Sequence, residues 1–190
     1  MLKYAIQCKG IGIGAHGIRS GEDYPINISY ACSVQGGGHT SIACLPINDL
    51  RSELLMVFHD SAVYCYFNTF GIPRNIKFEF YKAVTGVELT ENDWVNIKAL
   101  RILQLQRAIL LLGGPDKKWN PKEHDDNPPR FYEPLPSGPY KGKTVNRENF
   151  EKDKKRYYEA VGWDENGVPK SETLKKLGLD DVDKVLEKIR

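Results

Sequence analysis

A carboxylate and a thiol five residues apart, Asp60 and Cys65, and a glycine run ending in histidine, Gly36-Gly37-Gly38-His39, have types and spacing that can do chemistry. A carboxylate accepts hydrogen bonds from N–H groups, and a thiol that ionises becomes a metal ligand. Consecutive glycines ahead of a helix can turn their backbone N–H groups toward an anion such as a phosphate. Each feature also has a plainer reading from the residues alone. Asp60 and Cys65 then form a capped helix end with a buried structural cysteine. The glycines are then an ordinary flexible loop, and His39 is a histidine bonded to backbone.

The elements that must carry these residues are mostly helical. The apolar run Leu54, Leu55, Met56, Val57 and Phe58 puts Asp60 near the end of a helix that starts at about Leu50. Asn48 or Asp49 caps it, Glu53 sits in its first turns, and Thr69-Phe70-Gly71-Ile72-Pro73 breaks it. Residues 75–85 form a short amphipathic helix closed by Gly86. Thr90-Glu91-Asn92-Asp93 opens the longest helix with a near capping box, and Gly113-Gly114-Pro115 stops it after Leu112. Trp94, Ile97, Arg101, Leu105, Ala108 and Leu112 recur along it at three and four. Ile102, Leu103, Ile109, Leu110 and Leu111 widen that stripe, which predicts burial in several directions. Arg101 and Arg107 then need anionic partners or carbonyls. An internal salt bridge is the ordinary outcome, and a contact to a cofactor phosphate the functional one.

The remainder divides into two parts. Residues 115–146 carry seven prolines and read as a long irregular loop, pinned by Trp119, Phe131, Tyr132 and Tyr140, that wraps a larger body or covers a site. Helices are expected over 147–161, 171–177 and 180–189, with a turn at Gly162-Trp163-Asp164. Upstream, residues 2–18 read as a short strand running into glycines, and a short helix begins over 40–45. The fold class is therefore mainly α, organised as a site-facing region over 1–114, the Pro/Gly-rich segment over 115–146, and a C-terminal helical segment over 147–190.

Composition removes several function classes. Lys and Arg number 27 against 25 Asp and Glu, a formal charge of +2, without the basic surplus of a nucleic-acid binder. No apolar run approaches the ~20 residues that span a bilayer, and the N-terminus has no signal-peptide core. A cytoplasmic chain is expected. Cys8, Cys32, Cys44 and Cys65 are widely spaced, which argues against disulfides in a reducing compartment and against a self-contained zinc or iron–sulfur site. Gly12-Ile13-Gly14-Ala15-His16-Gly17 matches a dinucleotide fingerprint literally, but Arg19-Ser20-Gly21-Glu22-Asp23-Tyr24-Pro25 follows as loop chemistry, with no helix and no βαβ unit. A nicotinamide reading fails on that ground.

Asp60-Ser61-Ala62-Val63-Tyr64-Cys65 resembles the Asp-x-x-Gly-Leu-Cys motif of the tungsten-containing aldehyde ferredoxin oxidoreductase family. Tyr30-Ala31-Cys32-Ser33-Val34-Gln35-Gly36-Gly37-Gly38-His39-Thr40-Ser41 is similar to that family's tyrosine-to-histidine segment, in the form of its benzoyl-CoA reductase branch. Ala99–Arg107, Pro128-Pro129-Arg130-Phe131, Gly138-Pro139 and Gly162-Trp163-Asp164 follow in the family's order. The resemblance covers nearly the whole chain but only the C-terminal portion of a family member.

It implies irregular helical domains like the C-terminal domains of that family, serving a tungsten bis-molybdopterin centre and a [4Fe–4S] cluster. Carried over, Cys65 is the fourth cluster thiolate and also bonds a pterin, Asp60 contacts the pterin ring, Gly37 and Gly38 face the cofactor, and His39 moves a proton beside the metal. The three other cluster cysteines and the base of the pterin site are missing. The resemblance therefore implies an N-terminal partner polypeptide, a ferredoxin-like electron carrier, and aldehydes or aryl- or acyl-CoA thioesters as substrates. The alternative is a non-catalytic helical interaction or assembly module that keeps the scaffold.

Overall fold

The computed structural model describes residues 4–13, 30–34, 36, 50–113 and 119–190, and the chain so described is mainly helical. The caps expected at Asn48 or Asp49, the short helix over 40–45, Cys44, and residues 14–25 of the glycine-rich opening and the loop after it lie outside these residues. A two-residue hairpin opens the chain, with β1 (Gln7–Cys8) antiparallel to β2 (Ile11–Gly12). Its turn residues Lys9 and Gly10 both have positive φ, 54° and 79°, as the tight turn matching strand twist requires.

Helix α1 (Leu50–Ser61) starts where its apolar run predicts but stops at Ser61, ahead of Cys65 and of the break expected over 69–73, because the chain turns left-handed at Val63. It buries Leu54, Leu55, Val57 and Phe58 in the main core with Phe78 of α2 (Ile76–Thr85), whose C-cap is Gly86 as expected. A capping box at Thr90 and Asp93 starts α3 (Glu91–Asp93). The helix then loosens into a π-turn over Trp94–Lys98 before continuing as α4 (Ala99–Leu112). The Trp94 indole N–H donates to the Leu54 carbonyl at 2.8 Å, pinning this turn to α1.

The π-turn corrects the stripe read from the sequence. An extra residue in one turn rotates everything after it, so Val95, Ala99, Leu103, Gln104, Arg107 and Leu111 are buried beside Trp94 and Ala108, the two residues of the expected stripe that do turn inward. Ile97, Leu105 and Ile109 face outward, so the helix is not buried on every flank.

The Pro-rich segment has more local structure than a bare loop. Residues 119–146 hold α5 (Pro121–His124) and a 3₁₀ turn over Pro129–Tyr132, and send Asp125, Phe131 and Val145 inward. Helix α6 (Arg147–Val161) then lays Phe150, Tyr157, Tyr158 and Val161 on the core. Helices α7 (Ser171–Lys176) and α8 (Asp180–Leu186) enclose a smaller cluster of Leu174, Leu177, Leu179 and Leu186 against Ala108. Arg101 donates to the Leu177 and Gly178 carbonyls, so its partners are carbonyls, one of the two outcomes expected.

Arg107 takes the salt bridge. Its guanidinium meets the Asp125 carboxylate at 2.6 and 3.2 Å, and its Nε donates to the Gly167 carbonyl at 2.8 Å. The Lys9 ammonium reaches the same carboxylate at 2.8 Å, the Tyr158 hydroxyl donates to it at 2.5 Å, and Lys9 also bonds the Ala31 carbonyl. Burial alone would raise the Asp125 carboxyl, but Lys9 and Arg107 outweigh it and hold it at about 2. The Trp163 ring stacks 4.2 Å from the guanidinium carbon, which keeps the cation desolvated but not uncompensated. This one carboxylate joins the N-terminal hairpin, the 30–36 segment, α4, the Pro-rich segment and α6.

Glu53 is also buried, and the Tyr157 hydroxyl donates to its Oε1 at 3.0 Å. Its Oε2 has no partner among the described residues, and burial pushes the carboxyl up to about 8. No helix of the described residues is long and apolar enough to cross a membrane.

Two outcomes test this packing. Replacing Asp125 by Asn leaves two buried cations without a counter-charge and costs about 3–5 kcal/mol, read as a lower urea midpoint. Glu53 binds its proton more tightly folded than unfolded, so its stabilising effect is complete below pH 4.5, declines as pH rises toward 8, and is flat beyond. Glu53→Gln, neutral throughout, should lack that decline, so the wild-type midpoint should fall relative to the variant across this window.

Candidate functional site

Helix α1 ends in a Schellman motif that sets the position of Asp60 and Cys65. The Tyr64 N–H donates back to the His59 carbonyl at 2.8 Å, and the Ala62 N–H to the Phe58 carbonyl at 2.8 Å. The six-residue closure requires its fifth residue to be left-handed. That residue is Val63, with φ 53°. The rings of His59 and Tyr64 lie 5.7 Å apart, the apolar contact that accompanies this kind of helix stop. The family motif places Gly at this position, and the geometry gives the reason: only Gly adopts the turn without a Cβ penalty. A β-branched residue here is strained.

Cys65 follows as the residue ahead of the 3₁₀ turn over Tyr66–Thr69, and it is exposed. The plainer reading of a buried structural cysteine therefore does not hold for Cys65. It does describe Cys8 and Cys32, which are buried, and burial drives both thiols up, Cys8 to about 12. Asp60 is exposed on the last turn of α1. Gly37, Gly38 and His39 lie outside the described residues. Their approach is described as far as Gly36, whose φ is 59° and which sits against β1 so closely that a Cβ would meet the Cys8 carbonyl oxygen at 2.5 Å. Lys9 bonding Ala31 fixes the same segment from below.

A pair that sequence reasoning did not single out lies next to the motif. His59 is buried, and its Nε2 lies 3.4 Å from the Lys77 Nζ. Burial first, and then the Lys77 charge, lower the His59 pKa, so the neutral ring accepts from the ammonium. Lys77 is itself lowered, first by burial. Tyr66 stands edge-on to the His59 ring at 5.6 Å. Lys77 also forms part of the wall of an open cleft of about 230 Å³, otherwise formed chiefly by Phe58, Ala62, Tyr64, Phe80, Tyr81 and Val84. The sequence signal for this was slight: a lysine in an amphipathic helix normally reads as surface.

Among the described residues no group of three or more His, Cys, Asp and Glu could hold a metal ion. The site offers one accessible thiol and one carboxylate at a helix end, with polar and aromatic neighbours behind them.

A family model described as aldehyde ferredoxin oxidoreductase, domains 2 & 3, matches residues 1–179. The chain is 53% identical over 189 residues to a Pyrococcus furiosus protein named aliphatic sulfonate oxidoreductase, WOR-like subunit, covering 99% of this chain and 30% of that one. It is 34% identical over 140 residues to the tungsten-containing aldehyde ferredoxin oxidoreductase of the same organism, covering 70% and 22%. A protein of that name from Pyrococcus horikoshii is 29% identical over 201 residues, covering 95% and 32%. The chain thus spans about a third or less of the length of these curated relatives.

Val63→Gly relieves a left-handed valine worth about 1–2 kcal/mol and gives part back through the freer unfolded chain. A net gain of about 1 kcal/mol is expected in urea unfolding; an unchanged or lower midpoint would count against strain at this turn.

Proposed function

The chain belongs to the aldehyde ferredoxin oxidoreductase family, and from that premise we propose that it is the C-terminal share of a tungsten oxidoreductase, active only with the polypeptide that carries the rest. Bound there, a tungsten bis-pterin centre would supply two-electron chemistry at substrate, and a [4Fe–4S] cluster would pass electrons singly to a ferredoxin-like carrier. Cys65 gives the cluster its fourth thiolate. Asp60 accepts hydrogen bonds from a pterin ring, Gly37 and Gly38 offer backbone N–H groups, and His39 holds and moves a proton beside the substrate. The Schellman turn fixes the thiolate relative to the carboxylate, so both project from one helix end.

The observation that carries this reading is the exposure of Cys65, set against the burial of Cys8 and Cys32. A ligand to a centre gripped mainly elsewhere has to stand on an open face, and a structural cysteine does not. The substrate class follows the relatives' names, aldehydes and aliphatic sulfonates, ahead of the aryl-CoA thioesters suggested by the form of the glycine segment. The high identity to the sulfonate enzyme supports that order.

The test is metal content. The chain purified alone should hold neither tungsten nor iron in stoichiometric amount, whereas the assembled enzyme should hold both. Cys65→Ser in the assembled enzyme should lose cluster iron and its reduced-state paramagnetic signal while the isolated chain keeps its helical circular dichroism. Stoichiometric metal in the isolated chain would refute the shared centre, and an intact cluster in the Cys65→Ser enzyme would remove the role of Cys65.

A further inference from the structure

Apolar and aromatic side chains stand in water around the end of α1 and along α2. Val63 is 94% exposed, Phe67 64%, Phe70 65%, Phe80 54% and Val84 86%. They form one face. Phe67 and Phe70 pack on Tyr66 with ring centres 5.9 and 5.4 Å away, Tyr66 reaches His59, and His59 reaches Tyr64 at the rim of the cleft that Phe80 and Val84 complete. A soluble surface rarely leaves so many large apolar groups together unless something covers them.

Within this face lies a buried cation. Lys77 is 6% exposed, forms part of the cleft wall, and holds its Nζ 5.5 Å from the Phe58 and Phe78 ring centres. Its nearby groups are His59, a neutral acceptor at 3.4 Å, the Phe58 and Phe78 rings at 5.5 Å, Arg74, which repels it, and Glu91, which is already bonded by Arg51 at 2.6 and 3.1 Å. No carboxylate of the described residues forms an ion pair with it. A buried ammonium with spare donors and no counter-ion is incomplete by itself.

We propose that this face, from Val63 through Val84, is where the rest of the enzyme seats, and that the incoming surface is apolar with one Asp or Glu carboxylate directed into the cleft to pair with Lys77. The inference rests on the shared-centre reading and adds its contact surface. The size of the missing part supports the choice of occupant: the chain covers only 30% of its 53%-identical relative. Position supports it too, since the face surrounds Cys65, the thiol that must meet cofactors held by that missing part. The Lys77 charge then acts as a key. An apolar surface without a carboxylate would leave it buried and unpaired, which penalises wrong partners.

Hydrogen exchange of the isolated chain against the assembled enzyme tests the surface without any substitution. Backbone amides of residues 62–87 should slow on assembly by about 100-fold or more. Phe80→Glu with Val84→Glu, both on exposed positions, should weaken association about 100-fold, while Ile109→Glu, equally exposed but on α4, should leave it unchanged. Lys77→Met should weaken it about 30-fold and reduce its salt dependence. Unprotected amides over 62–87 in an assembled, metal-loaded enzyme would overturn this inference and leave the shared centre standing. So would wild-type affinity in the double variant, or a chain that dimerises through this face and still joins the rest of the enzyme unaffected. Full metal loading of the isolated chain would instead remove the reading beneath it.

Discussion

The Asp125 carboxylate holds together segments that have little else in common. It accepts from Arg107 of α4, Lys9 of the first hairpin and Tyr158 of α6, and it comes from the Pro-rich segment between them. Two cations and one hydroxyl around a single anion leave no room for a partial arrangement, because each buried charge depends on the others for compensation. The short hairpin has only two paired residues per strand and could not hold its place by backbone bonds alone. Its position is set by Lys9, and through the Lys9 bond to Ala31 the segment leading to the glycine run is set as well. Distance in the chain is thereby traded for a fixed arrangement: residues 9, 31, 107, 125 and 158 meet at one point.

The candidate site rests on a different device. A helix end is a precise way to aim side chains, because the closing hydrogen bonds fix the last turn and the residues just beyond it. Asp60 lies on the last turn of α1, Val63 reverses the chain, and Cys65 emerges two residues later. The cost appears at Val63, where a β-branched residue holds a left-handed backbone. Strain of this kind is tolerated where the surroundings over-determine it, and here the Tyr64–His59 bond and the His59 ring contacts do so.

Burial separates the cysteines by role. Cys8 and Cys32 are sealed, with thiols held neutral by desolvation, and serve as small apolar packing groups. Cys65 alone of the three described cysteines faces outward. The same contrast holds for charge. Arg107 has its carboxylate inside the fold, whereas Lys77 has a neutral imidazole and the faces of Phe58 and Phe78 but no ion pair among the described residues. One cation closes the structure and the other leaves it open toward whatever covers α2.

Local signals in the chain determined much of this. The apolar run before Asp60, the capping box at Thr90, and the glycines after Thr85 and Val161 place the start of α1 and the ends of the helices they flank, because caps and periodicity act within a turn or two. The ordered series of motifs pointed to the family. The sequence did not reveal the π-turn over Trp94–Lys98, which depends on Trp94 finding the Leu54 carbonyl forty residues away, and so it placed Ile97, Leu105 and Ile109 inward although they are exposed. Nor did it say which arginine would find a carboxylate, that a lysine of α2 would be buried beside His59, or which cysteine would stay in solvent. Those are decided by which surfaces meet at long range, and a side chain's ionisation and exposure depend on those neighbours more than on its place in the chain.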